Sequence, residues 1–176
     1  YFGQRTSFVQ LNLFYTLLYN YIARQPYMLP FDDSSTSFET VTHLGDELET
    51  WANTNVGEAT LRGASLQWNT KVNKNLTYKG HVNYTYGITR EDQIPVPSIL
   101  PWQGAQHISI SNRRLNGQLS FVFAGQKLPE DYSNGGEDGL EETPVIEVSS
   151  ETGKNEYAGT PSWNRFDFHL TYNMNT

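Results

Sequence analysis

Leu76-Thr-Tyr-Lys-Gly-His-Val-Asn-Tyr-Thr-Tyr86 decides the fold class. One side of it reads Leu76, Tyr78, Gly80, Val82, Tyr84 and Tyr86, and the other Thr77, Lys79, His81, Asn83 and Thr85. Side chains alternate across a strand with a period of two, so this pattern predicts a β-strand with one apolar and one polar face. The period recurs. Residues 106–112 set Ile108 and Ile110 against His107, Ser109 and Ser111. Residues 118–124 set Leu119, Phe121 and Phe123 against Gln118 and Ser120, with Val122 as the exception. Residues 165–174 set Phe166, Phe168, Leu170 and Tyr172 against Asp167, His169, Thr171 and Asn173. The first segment, 6–22, alternates Val9, Leu11 and Leu13 with Phe8, Gln10 and Asn12, then turns apolar on both sides. Residues 60–68 fit either phase, and a slip of one residue would invert their faces, so that phase stays open.

About six long strands result, joined by connections that alternate in length. Short turns fall around Asn73-Lys74-Asn75 and between Asn112 and Gly117, whereas residues 23–53, 90–104 and 125–162 are long. Short turns at one end and long loops at the other are the plan of an outer-membrane β-barrel. The expected fold is therefore all-β, an antiparallel up-and-down meander forming part of a transmembrane β-barrel. Residues 36–42 and 144–149 have strand-like composition and would either bring the strand count to eight or extend strands above the membrane. Aromatic residues gather at both strand ends. Tyr19, Tyr21, Tyr84, Tyr86, Trp102 and Trp163 fall toward the long loops, and Trp68, Tyr78 and Tyr172 toward the short turns. Rings at headgroup level on both sides of an aliphatic band are the expected interface anchors.

The charge is divided in the same sense. The chain has 176 residues and a net charge of −7. Residues 25–60 carry seven acids and no Lys or Arg; residues 127–161 carry nine acids and two bases, Lys127 and Lys154. Both stretches are long loops, while Lys71, Lys74, Lys79, Arg113 and Arg114 cluster around the short turns. Aromatic content of 14% is too high for a disordered chain, and no apolar run is long enough for a transmembrane helix. The acidic balance, without a basic stripe, speaks against nucleic acid as a partner. Cysteine is absent, so no disulfide or thiolate metal site is available.

The chain resembles the β-barrel of TonB-dependent outer-membrane receptors, from the middle of the barrel toward its C-terminal end. The matching pieces are Leu18-Tyr-Asn-Tyr-Ile22, Asn55-Val-Gly-Glu-Ala-Thr-Leu-Arg-Gly63, Val82-Asn-Tyr-Thr-Tyr-Gly87, Ile94-Pro-Val-Pro-Ser-Ile-Leu-Pro101, and Gly159-Thr-Pro-Ser-Trp163 leading into Phe166-Asp-Phe168. At Gly63-Ala-Ser65 the family usually has a glutamate in the last position. The resemblance implies that residues 1–176 are a partial barrel in the cell outer membrane, without plug domain or final strands. The parent would be a receptor that binds a scarce nutrient and imports it with energy from the TonB complex. Ferric siderophore or haem leads as substrate class, with cobalamin or an oligosaccharide behind. Its partners would be outer-membrane lipid, TonB and that small molecule, with no cofactor. Out of the membrane, unpaired edges and an apolar face favour self-association.

Candidate ligand contacts are loop-borne aromatic and polar groups near strand ends: Trp51, Asn53, Arg90, Trp102, Gln103 and Tyr132. The acidic loops would repel a strongly anionic chelate. His81, His107 and His169 lie on polar faces, where polar barrel lining is their ordinary role, and no metal site is expected. Residues 130–142 are rich in carboxylates but lack EF-hand spacing, which suits a solvated acidic loop. No Gly-x-Ser-x-Gly elbow or carboxylate pair marks an enzyme. Two other architectures fit the alternation: a soluble β-sandwich, adhesin-like, with the apolar faces inside, and a complete small barrel of about eight strands.

Overall fold

The computed structural model describes residues 7–26, 29–31, 36–38, 40–100, 102–133, 138–148 and 155–174. The first long strand is β1 (Ser7–Tyr19). The following connection holds short strands only: β2 (Ile22–Pro26), β3 (Leu29–Phe31), β4 (Thr36–Phe38), β5 (Thr40–His43), β6 (Asp46–Glu49) and β7 (Trp51–Asn55). Four long strands succeed them, β8 (Glu58–Lys71), β9 (Leu76–Thr89), β10 (Trp102–Ser111) and β11 (Leu115–Ala124). The last connection carries β12 (Val145–Val148) and β13 (Asn155–Tyr157) before β14 (Trp163–Tyr172).

The six long strands form one sheet in the order β1-β8-β9-β10-β11-β14, antiparallel throughout. This is the expected meander. The short strands pair among themselves into two-stranded ribbons and do not join it. They therefore add nothing to the wall, and among the described residues β1 and β14 each have one neighbour, so the sheet does not close. A complete small barrel is not what forms. Both short turns use the same device: Asn73 Oδ1 accepts the N–H groups of Asn75 and Leu76 (2.8 and 3.0 Å), and Asn112 Oδ1 those of Arg114 and Leu115 (3.0 and 2.9 Å). An asparagine side chain that bonds its own backbone two residues on makes a tight turn without glycine.

The register settles the phase of residues 60–68. Trp68 lies opposite Val9 and Leu66 opposite Leu11, so both join the apolar face, and Ser65 and Gln67 join the polar one. One row across the apolar face then reads Val9, Trp68, Gly80, Gln106, Phe121, Phe166. No second layer covers it among the described residues: Val9 is 72% and Phe168 70% exposed. A sandwich would bury these side chains. Trp68 and Tyr78 meet at 5.8 Å near the short turns, and Tyr84 and Trp102 at 4.7 Å near the long loops. Among the described residues, most buried side chains sit at the long-loop end, around Val56, Ala59, Thr89, Val96, Ala124 and Tyr132.

Gly63 shows how tightly neighbouring strands approach. A Cβ there would overlap both the Tyr84 carbonyl oxygen and the ring of Phe14, which covers the glycine from the polar side. Gly63→Val is expected to cost about 1–3 kcal/mol through overpacking. Adding Phe14→Ala should recover only part of the loss, because the carbonyl cannot move aside. The folded fraction on refolding into detergent reads both effects.

Candidate functional site

The polar face is built in rows. In the outermost row that all six long strands share, Asn12, Ser65, Asn83, Gln103 and Trp163 stand in register, with Ala124 between the last two. Asn12 donates to Ser65 Oγ at 3.3 Å. Below it run Gln10, Gln67 and His81, where Gln67 Nε2 donates to Gln10 Oε1 at 3.0 Å. The next row holds Asn69, Lys79, His107, Ser120 and Asp167, with His107 Nδ1 2.8 Å from Ser120 Oγ. His81 and His107 border one shallow hollow of about 380 Å³ with Gln67, Asn69 and Lys79. His169 lies elsewhere, 3.0 Å from Thr171 Oγ1. Among the described residues no group of three or more His, Asp or Glu side chains is placed to hold a metal ion.

The six candidate contacts do not form one cluster. Gln103 is exposed on the polar face at the mouth. Trp102 precedes it on the apolar face, against Tyr84. Trp51 and Asn53 lie on β7, opposite Pro26 and Arg24 of β2. Arg90 sits at the rim beside Tyr19, Asn20, Gly57 and Glu58. Tyr132 is buried, 6% exposed, which leaves little of it to offer a ligand. Of the aromatics expected at the interface, Tyr19, Trp68, Tyr78, Tyr84, Tyr86 and Tyr172 fall on the apolar face. Trp163 does not: pairing with Ala124 puts it on the polar face with Arg165 and Asp167. Closeness to a strand end fixes depth, whereas phase fixes the face, and here the two separate. Tyr21 lies just past β1, where its backbone exchanges hydrogen bonds with Val56 and Gly57.

Two long connections meet in a buried polar knot. The Lys127 ammonium lies 2.9 Å from Asp138 Oδ2, with both side chains nearly inaccessible (8% and 3%). Asp138 also accepts the N–H of Ser133 at 3.2 Å and that of Ser98, which belongs to the other connection. Lys127 Nζ lies 4.4 Å from the centre of the Tyr132 ring, and the Tyr132 hydroxyl is 2.6 Å from Thr160 Oγ1. The backbones of Lys127 and Thr160 exchange two hydrogen bonds, so the start and end of the 125–162 connection are pinned together. Burial acts first on Asp138 and would raise its pKa. The Ser98 N–H, Lys127 and the Ser133 N–H together outweigh it, and the carboxyl ends below its ordinary value. The loop expected to be solvated thus carries a buried, charged anchor.

Residues 90–100 fold back over the sheet end. Val96 N–H donates to Gly87 O at 3.1 Å, Thr89 N–H to Ile94 O at 2.9 Å, and a Cβ on Gly87 would strike Val96, Ile99 and Leu61. Gln93 and Ser98 hold left-handed φ values of 55° and 60°. Such conformations are costly for residues other than glycine and persist where surrounding contacts over-determine them. At Ser98 the Asp138 contact supplies that constraint. At the outer rim Arg90 pairs with Glu58, and the hydrogen bond, then the charge, of Glu58 raises the guanidinium's pKa.

The comparisons agree with this geometry. A family model described as TonB dependent receptor-like, beta-barrel, matches residues 1–176. Among solved structures, the copper transporter OprC is similar at a TM-score of 0.65 and 11% sequence identity. The match covers 98% of this chain and 21% of that one, so this chain spans about a fifth of that transporter's length. At that identity the likeness concerns the fold alone. No curated protein matches the sequence. An open antiparallel meander with opposed faces, matched along its whole length by that model, places the chain in the TonB-dependent receptor β-barrel family.

Proposed function

We propose that this chain is a wall segment of an outer-membrane receptor that captures a small nutrient at its long-loop face and imports it with energy supplied through TonB. The observation that carries this is the two-faced sheet. An uncovered apolar face with aromatic rings toward both ends suits lipid, and a hydrogen-bonded polar face suits an aqueous lumen. The long loops are then extracellular. The mouth row of Asn12, Ser65, Asn83, Gln103 and Trp163 offers amides and one large ring, the groups that orient a small polar ligand.

A ferric siderophore or haem is the substrate class. The acidic loops favour a neutral or cationic chelate, or haem, over a tris-catecholate complex. The name of the similar transporter raises a second candidate, copper, carried as an ion or a complex. Titration of the solubilised parent receptor with chelates of different charge, haem and a copper salt separates these. Neutral and cationic chelates or haem should bind, with cationic ones weakening as salt rises. Tight binding of an anionic catecholate complex, undiminished at low salt, would overturn the charge preference. Binding of copper alone would replace the iron assignment.

A further inference from the structure

Arg62 occupies a position that a membrane wall ordinarily leaves uncharged. Register sets it on the apolar face of β8, in one row with Tyr15 of β1 and Tyr86 of β9. Its guanidinium carbon lies 5.0 Å from the centre of the Tyr86 ring, and the side chain is exposed. Inside the terminal rows of the six strands it is the one charged side chain on that face among the described residues. No carboxylate of the described residues pairs with it. Two rows nearer the long loops, Arg90 pairs with Glu58 and lines one hollow with Tyr19. Two guanidiniums thus bracket a tyrosine-lined patch at the rim of the apolar face.

A lipid-facing Arg is strongly disfavoured at the bilayer midplane and tolerated near an interface. Desolvation does not remove its need for acceptors, since five N–H donors remain in a rigid fork. The ring of Tyr86 attracts the cation but accepts none of these donors in full. What satisfies them at headgroup depth is a phosphate, whose oxygens match the fork two at a time. The acidic loops above would repel such an anion, and Arg90 is already partly neutralised by Glu58, so Arg62 is the main attraction.

We propose that Arg62, seconded by Arg90, binds the phosphate of a lipid headgroup in the leaflet on the long-loop side, with Tyr15 and Tyr86 flanking it. This rests on the membrane placement proposed above. The test uses the full receptor in detergent, a bis-phosphorylated acyl-disaccharide lipid, the same lipid dephosphorylated, and inorganic phosphate. Native mass spectrometry reads the bound lipid. Wild type should retain the phosphorylated lipid at least 10-fold better than the dephosphorylated one, and inorganic phosphate at millimolar level should compete poorly, as expected for about one charge-assisted bidentate contact. Arg62→Gln should remove most of that preference. Arg62→Lys should keep part of it, since a point charge attracts phosphate without the fork. Arg165→Gln, on the polar face, should change nothing. An Arg62→Gln receptor that keeps the full preference overturns the proposal, as does inorganic phosphate binding as tightly as the lipid. A receptor that stays monomeric and folded without detergent overturns the membrane placement instead.

Discussion

Replacing Asp138 with alanine is expected to free two long connections at once, raising protease cleavage within 125–162 by on the order of 100-fold. Removing one partner of a buried ion pair costs about 3–5 kcal/mol, because the other charge stays behind without compensation. Here the remaining charge is Lys127, 2.9 Å from Asp138 and nearly inaccessible, with its ammonium 4.4 Å from the centre of the Tyr132 ring. The same change removes the acceptor of the Ser98 and Ser133 N–H groups. Ser98 then loses the cross-connection contact that holds its left-handed backbone, so the 90–101 connection should loosen along with its neighbour. The six-stranded sheet has its own ladders and should persist. Limited proteolysis that finds both connections as resistant as in wild type would show that the knot holds nothing.

Acidity offers a second handle on the same group. The carboxyl of Asp138 has a lowered pKa when folded, so its contribution is fully present above the unfolded value and is lost as pH falls through the folded one. Cleavage should stay flat through neutral and mildly acidic solution and climb only below the ordinary carboxylate range. Lys127→Met removes one cause of the lowering and leaves the burial. In that variant the climb should start at higher pH, while the Ser98 and Ser133 donors make its neutral-pH loss smaller than that of Asp138→Ala.

Strand content was legible because alternation is local: residues 76–86 announce both faces of β9 without help from any other segment. Phase was legible only where the alternation was clean. In residues 60–68 the apolar positions fit two readings, and pairing with Val9 and Leu11 across β1 decided between them. Trp163 marks the limit of reading aromatics by position: nearness to a strand end gives its depth, while the alternation of 165–174, carried back two residues, sets it on the polar face with Arg165 and Asp167. β10 starts earlier than the alternation of 106–112 suggests, at Trp102, because Gly104 and Ala105 are small and leave no apolar–polar contrast. The knot was not legible at all. Lys127 stood out as an early base in an acidic stretch, but its burial depends on Ser98 and Thr160 arriving from far along the chain. Composition described that stretch as solvated because it counts charges and cannot see which one turns inward.

Phe168→Arg is expected to abolish stable insertion into bilayers, with a cost of about 2–4 kcal/mol, while His169→Arg next to it is tolerated. Phe168 lies mid-strand on the apolar face, opposite Leu119 and between Phe166 and Leu170, and it is 70% exposed. His169 points to the polar face opposite Gln118. In water, an exposed phenylalanine is a liability, and its replacement by arginine would change stability by no more than about 0.5 kcal/mol. In lipid the same exposure is contact with acyl chains, and a guanidinium there is far from any headgroup. The two solvents therefore predict opposite outcomes for one substitution at one uncovered site. Folding into vesicles, scored by the fraction protected from protease, reads the difference directly. Equal tolerance at positions 168 and 169 would mean that the apolar face meets water, and a sheet that exposes Val9, Leu11, Phe166 and Phe168 to water must then find protein to cover it.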